Sequence, residues 1–273
     1  MDKAHPLSTP MVVRSLDVKK DHFCPQEVGE ETLGLEVPYL SAIGALMYLE
    51  NCTRLDIAFS VNLLARYSSA STLRHWNGVK HVLCYLHGTT DMGLFYSNKS
   101  NPQLVGYADA GYLSNPHKGR SQTGYLFTCG NTAISWRSVK KTISATSSNH
   151  LEIIAIHEES HECVWLRSVI QHIREKYGLS LIKDNPTILY EDNAAYITQI
   201  RGGYIKGDRT KHISPKFFHT HELQKNGDID VKHIRSSENW ADIFTKSLLT
   251  TTFKKIVHSI GMRQLKDLLI LDN

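Results

Sequence analysis

A chain of 273 residues with 41% hydrophobic content has room for two modest domains or one large one, and no apolar run reaches the roughly 18 residues of a membrane span. Five scattered cysteines (Cys24, Cys52, Cys84, Cys129 and Cys163), odd in number and without a Cys-x-x-Cys pair, argue against a cysteine zinc module or a disulfide framework. A net charge of +4 with a pI of 8.7 falls just short of the footprint of a dedicated nucleic-acid binder. The first 20 residues lack the apolar core of a secretory signal, so a reduced, intracellular protein is expected.

Residues 1–36 are polar, contain Pro6, Pro10 and Pro25, and show no sustained period; an extended or poorly ordered lead-in is expected. Residues 37–98 read as a small helical module. Its stripes are Leu40, Ile43, Met47 and Leu49, then Ile57, Val61, Leu64 and Tyr67, then Trp76, Val79, Val82, Leu83 and Leu86. A turn-rich joint at 98–102 changes the grammar. Strand-like runs follow at 104–108, 124–129 and 134–139, then a long helix at 148–176. A strand at 188–191, helices at 194–200 and 214–225, a strand at 229–234 and a helix at 238–248 complete the order βββ-α-β-α-α-β-α. That order predicts an α/β domain over 99–250 with a mixed five-stranded sheet, antiparallel first and parallel later, and a helical tail over 251–273.

Within this pattern four acidic residues have settings that suit metal-binding carboxylates. Asp109 and Asp192 each follow an apolar strand-like run, while Glu152 and Asp242 lie in helical patterns at the edge of buried stripes. Neighbouring strands would bring the two aspartates to one rim of the sheet, where divalent ions serve phosphodiester chemistry. Two basic segments flank the set: His117, Lys118, Arg120, Arg137, Lys140 and Lys141, and then Arg201, Lys206, Arg209, Lys211, His212 and Lys216. Runs of this kind are often solvated faces, but beside a carboxylate set they suit phosphate contacts.

From residue 109 onward the chain resembles the ribonuclease H domain of copia-type LTR retrotransposon Pol polyproteins. The motifs are Gly-Tyr-Ala-Asp-Ala (106–110), Ser-Gln-Thr-Gly-Tyr-Leu-Phe (121–127), Ile-Ser-Trp-Arg-Ser (134–138), Leu-Tyr-Glu-Asp-Asn-Ala-Ala (189–195), Arg-Thr-Lys-His-Ile (209–213) and Ala-Asp-Ile-Phe-Thr-Lys (241–246). Upstream, Ser-Ala-Ile-Gly-Ala-Leu-Met-Tyr-Leu (41–49) and Arg-His-Trp-Asn-Gly-Val-Lys-His-Val-Leu (74–83) look like the thumb- or connection-like end of the same polyprotein's reverse transcriptase.

The resemblance implies a ribonuclease H-like fold that cuts the RNA strand of RNA–DNA hybrids. Asp109, Glu152, Asp192 and Asp242 match the family's four catalytic carboxylates, holding two Mg²⁺ ions with Mn²⁺ as a substitute. Asn193 is a candidate for the RNA backbone, and His233 a candidate for proton transfer. Lys118, Arg120, Arg137, Lys140, Arg209, Lys211 and His212 are candidates for the duplex. The implied partners are the hybrid and the remainder of a reverse transcriptase, with no membrane; the implied setting is a cytoplasmic virus-like particle, with the nucleus as the alternative.

The chain departs from the family pattern in places. The segment around Glu152 reads Ser147-Ser148-Asn149-His150-Leu151-Glu152-Ile153 where the family has Ser-Ser-Thr-Glu-Ala-Glu-Tyr, Ser214 replaces an aspartate, and Leu55 replaces a proline. Such drift fits an alternative, a catalytically weak remnant that at most binds nucleic acid. Reverse transcription is not expected, because Ala110 stands where a polymerase hairpin needs a second aspartate. An integrase-like transferase would bring a His/Cys zinc module. His157-Glu158-Glu159-Ser160-His161 matches His-Glu-x-x-His, a pattern short enough to arise by chance, and reads as a polar helix face.

Overall fold

A computed structural model describes residues 5–97, 103–141, 147–179, 185–205, 211 and 213–269. Helices α1 (Tyr39–Cys52), α2 (Ala58–Ala65) and α3 (Leu73–His87) follow the three predicted stripes. Strand β1 (Met92–Leu94) closes this half. The second half runs β2 (Leu104–Asn115), β3 (Arg120–Cys129), β4 (Thr132–Lys140), α4 (Ser148–Lys176), β5 (Thr187–Glu191), α5 (Ala194–Gly202), α6 (Ser214–Asn226) and β6 (Ile229–His233). The C-terminal stretch holds α7 (Thr250–Ser259), β7 (Met262–Gln264) and α8 (Leu265–Leu269).

The main sheet has the order β4-β3-β2-β5-β6, with β2–β3 and β3–β4 antiparallel and β2–β5 and β5–β6 parallel. It is the mixed sheet that the element order predicts, flanked by helices as the resemblance to ribonuclease H implies. The period-2 alternation of its strands feeds two cores. Leu104, Ala108, Tyr125, Phe127, Leu189 and Val231 face α4, α5 and α6, meeting Ile153, Ile156, Tyr196 and Phe217. Tyr107, Leu126 and Ala133 face the other way, into one cluster with Leu63, Val82, Phe244, Phe253 and Met262.

The N-terminal helices are therefore joined to the sheet by a shared apolar interior. Polar bonds reinforce the joint: Asn62 Nδ2 donates to Ser138 O at 2.9 Å and Trp136 Nε1 donates to Glu50 O at 2.9 Å. The C-terminal stretch returns to the same side, where β7 pairs antiparallel with β1.

Residues 5–36 contain no helix or strand, in keeping with their composition, but they are anchored. Met11, Arg14, Asp21 and Phe23 are buried. Arg14 donates to both carboxylate oxygens of Asp21, at 2.8 and 2.6 Å, and to Ser114 O at 2.8 Å, tying the lead-in to the end of β2. Burial pushes the Asp21 carboxyl up, but Arg14 and the Phe23 N–H outweigh it and hold it below the ordinary value.

Two local expectations are corrected. Strand β2 does not stop before Asp109; β3 stays paired with it through Asp109↔Gly124 and Gly111↔Gln122, and a bulge carries it on to Asn115. The predicted helix at 238–248 is instead two short 3₁₀ turns, Ser236–Glu238 and Trp240–Phe244. Tertiary contacts hold that segment open: Asn239 Oδ1 accepts from the Ala241 N–H, Asn239 Nδ2 donates to Ala108 O at 2.7 Å, and Ser138 Oγ donates to Phe244 O at 2.6 Å.

Candidate functional site: a carboxylate crevice on the central strands

Parallel pairing of β2 with β5 sets Tyr107 opposite Tyr190. Asp109 and Asp192 each lie two residues further on, where that ladder has ended and the strands part. Aromatic packing fixes the floor: Tyr107 lies 5.2 Å from Tyr190 and stacks on Trp240 at 4.7 Å. That stack, with the Asn239 bonds, delivers Asp242 to the crevice from the 3₁₀ turn. Gly124 opposite Asp109 leaves room for this turn, since a Cβ there would lie 2.5 Å from Phe244 Cβ. The fourth carboxylate comes from α4, whose N-cap Ser147 accepts from the His150 N–H at 3.2 Å; Glu152 follows in the second turn, buried.

Glu152, Asp192 and a residue that the sequence reading passed over, Glu191, each offer a carboxylate oxygen within 4.8 Å of the others. Glu191 is fully buried; its Oε1 accepts from the Asn193 N–H at 2.9 Å while Oε2 has no hydrogen-bond partner among the described residues. Its signal was the inward parity of β5, which points every second residue to the α4 face. Asp109 Oδ2 accepts from the Thr245 hydroxyl. Lys246 Nζ reaches Asp109 Oδ1 at 3.6 Å and Asp242 Oδ1 at 2.8 Å, supplying a local positive charge.

The crevice strains against its own negative charge. Burial, then Glu191, Asp109 and Asp192, push the Glu152 carboxyl well above its ordinary range. Burial likewise raises Glu191, with Asp192 and Asp109 adding to it. Asp242 is pushed up to about 7 by burial and Asp109, against the opposing pull of Lys246. Burial would lower the Lys246 ammonium, but Asp109 and Asp242 outweigh it and raise it. Glu152 Oε2 has no hydrogen-bond partner among the described residues. Hard oxygen donors at this density, short of positive charge, could hold a divalent cation.

The other candidates divide. Asn193 is the N-cap of α5, its Oδ1 accepting from the Ala195 and Tyr196 N–H groups at 3.0 and 3.1 Å, so its side chain is committed to the helix. His233 ends β6, exposed, opposite Glu191 in the ladder. Lys118, Arg120 and Lys140 form a positive group with Arg66 from the helical half, another residue the reading missed. Burial and then these cations lower the Lys140 ammonium. Arg137 lies on β4 and Lys211 is exposed, whereas Arg209 and His212 lie outside the described residues. Lys141 is paired with Glu158, and His117 Nε2 contacts Asp21 at 2.9 Å.

Topology and motifs together define a ribonuclease H-like α/β domain with a carboxylate-lined crevice. No protein-family model matches the chain. It is 35% identical over 262 residues to the retrovirus-related Pol polyprotein from transposon TNT 1-94 of Nicotiana tabacum, covering 96% of this chain and 19% of that protein. The chain belongs to the copia-type retrotransposon Pol polyprotein family. It spans about a fifth of that relative's length. A stretch of 130 residues is also 42% identical to secreted RxLR effector protein 161 of Plasmopara viticola, covering 48% of this chain and 92% of that protein. Among solved structures, LC11-RNase H1 in complex with RNA/DNA hybrid is similar with a TM-score of 0.37 at 20% identity, covering 52% of this chain and 94% of that one.

Proposed function

We propose that this chain carries a metal-dependent ribonuclease that hydrolyses the RNA strand of RNA–DNA hybrids, with residues 99–250 as the nuclease domain and residues 37–98 as the end of a reverse transcriptase. The observation that supports it most is the convergence of Glu152, Glu191 and Asp192 within 4.8 Å, with Asp109 and Asp242 held alongside by Lys246. Asp109, Glu152, Asp192 and Asp242 would hold Mg²⁺. When bound, the ion would supply charge stabilisation at the scissile phosphate and a lowered pKa for the attacking water. Lys246 orients Asp109 and Asp242 and keeps positive charge beside the crevice when no ion is present. The 3₁₀ turn fixes Asp242, and the α4 backbone fixes Glu152, so the donor geometry is set before substrate arrives. Lys118, Arg120 and Lys140 are suited to the phosphates of the duplex, with the half-buried Arg66 adding positive charge beside them, and the 2′-OH of the RNA strand would mark the strand to be cut.

Incubation of the chain with an RNA–DNA hybrid and Mg²⁺ tests this reading. Cutting of the RNA strand is expected, and Asp192→Asn should lower it by at least about 100-fold while the far-UV circular dichroism stays the same. Absence of cutting by the unmodified chain, with Mg²⁺ or Mn²⁺, would sink it. A second reading, a weakened nuclease that only binds hybrid, is favoured by Glu191: a fifth carboxylate in the crevice adds to the repulsion that raises Glu152 and so opposes its ionisation as a ligand.

A further inference from the structure

His157 and His161 lie one turn apart on α4, so their rings share a face of that helix. That face meets α6, which contributes His219. One ring nitrogen from each histidine lies within 4.8 Å of the other two. His161 and His219 stack at 4.6 Å with an interplanar angle of 5°, and His157 stands edge-on to both at 4.5 and 5.2 Å. Nδ1 of His157 and Nδ1 of His219 are buried with no hydrogen-bond partner among the described residues. Leaving two ring nitrogens dry and unpaired costs stability unless something binds them.

We propose that His157, His161 and His219 form a site for a single Zn²⁺ ion that clamps α4 to α6. Three imidazoles suit zinc and its neighbours in the first transition row and do not suit Mg²⁺, so this site is chemically distinct from the carboxylate crevice. Zinc–nitrogen bonds of about 2.0–2.1 Å require the stacked rings of His161 and His219 to turn so that their in-plane lone pairs converge on one ion. His161 is exposed, which gives the ion an entry path and leaves the fourth position to water.

Glu158 does not join the site. It accepts from the Thr123 hydroxyl at 3.1 Å and pairs with Lys141, so the general base of a His-Glu-x-x-His protease is turned to the sheet and the role left is a structural clamp. Burial, then the Lys216 ammonium, pushes His157 down to about 3, so its ring is a neutral donor at physiological pH. The same lysine opposes a cation, and the three donor nitrogens have to outweigh it.

Titration of the metal-stripped chain with Zn²⁺ against a chromophoric chelator, with Co²⁺ as the spectroscopic probe, decides the matter. One equivalent of Zn²⁺ is expected, with a rise in Tm and a Co²⁺ spectrum that lacks thiolate charge transfer. His161→Ala, at an exposed position that does not threaten folding, and His219→Ala should each weaken binding by more than the 10–100-fold typical of losing an outer-shell partner. Asp192→Asn should bind Zn²⁺ as the unmodified chain does. The proposal fails if the chain binds no Zn²⁺, if binding survives both histidine substitutions, or if cysteine ligation appears in the Co²⁺ spectrum.

Discussion

Glu159 is wholly buried on α4, and neither of its carboxylate oxygens has a hydrogen-bond partner among the described residues. It lies over Gly106, where an added Cβ would sit 2.3 Å from Glu159 Oε1, so the glycine is what leaves space for the acid. Burial, then Glu191, raises its pKa well above the ordinary glutamate value of 4.5. The folded chain therefore holds a proton that the unfolded chain releases above that value, and stability falls as pH rises through this window. Glu159→Gln keeps the shape and removes the titration. Urea denaturation at pH 5 and pH 8 should show the unmodified chain losing more stability than the variant, with a slope of up to about 1.4 kcal/mol per pH unit for one proton; equal losses would mean that Glu159 stays ionised. Glu191 bears instead on the proposed cleavage. Where it is ionised its charge raises Glu152, so Glu191→Gln should move the acid limb of the cleavage profile to lower pH. A profile that does not move would show that Glu191 is already neutral over the pH range of the assay.

At the scale of the element, the segment carrying Asp242 shows how tertiary contacts override local pattern. Residues 238–248 have helical periodicity, yet two 3₁₀ turns form because Asn239 binds its own chain and Ala108 O at once. Asn239→Ala leaves a buried carbonyl unpaired and should cost about 1–3 kcal/mol, read by thermal denaturation. Because Asp242 loses its anchor, cleavage should fall further than stability alone explains, with weaker Mg²⁺ dependence; a loss of stability with full activity would show that Asp242 keeps its place by other means. Helix α4 behaves in the opposite way. Its caps, length and stripe are local properties, and its bounds of Ser148 and Lys176 match those expected from the sequence. Strand β2 was legible at its apolar start, but its continuation past Asp109 rests on pairing with β3, which no local window contains.

Taken as a whole, the molecule has helices on both faces of its sheet, and the second face is covered by α1, α2, α3 and α7 together. Leu63 of α2 and Leu126 of β3 are both fully buried in that shared cluster. Leu63→Ala should therefore cost about 2–5 kcal/mol and shift one calorimetric transition, because the helices and the sheet unfold together. Two resolved transitions, only one of them moved, would refute this coupling. The sequence by itself determined most elements of the domain and the mixed character of its sheet, and offered Asp109, Glu152, Asp192 and Asp242 as candidate carboxylates, because periodicity, caps and motif residues are written locally. Only the tertiary structure decided that Glu191 enters the crevice, that Lys246 bridges Asp109 and Asp242, that Asn193 is spent on a cap, and that His219 meets His157 and His161. Each of these depends on a contact between segments far apart in the chain, whose register and packing are set by burial of the two faces of one sheet.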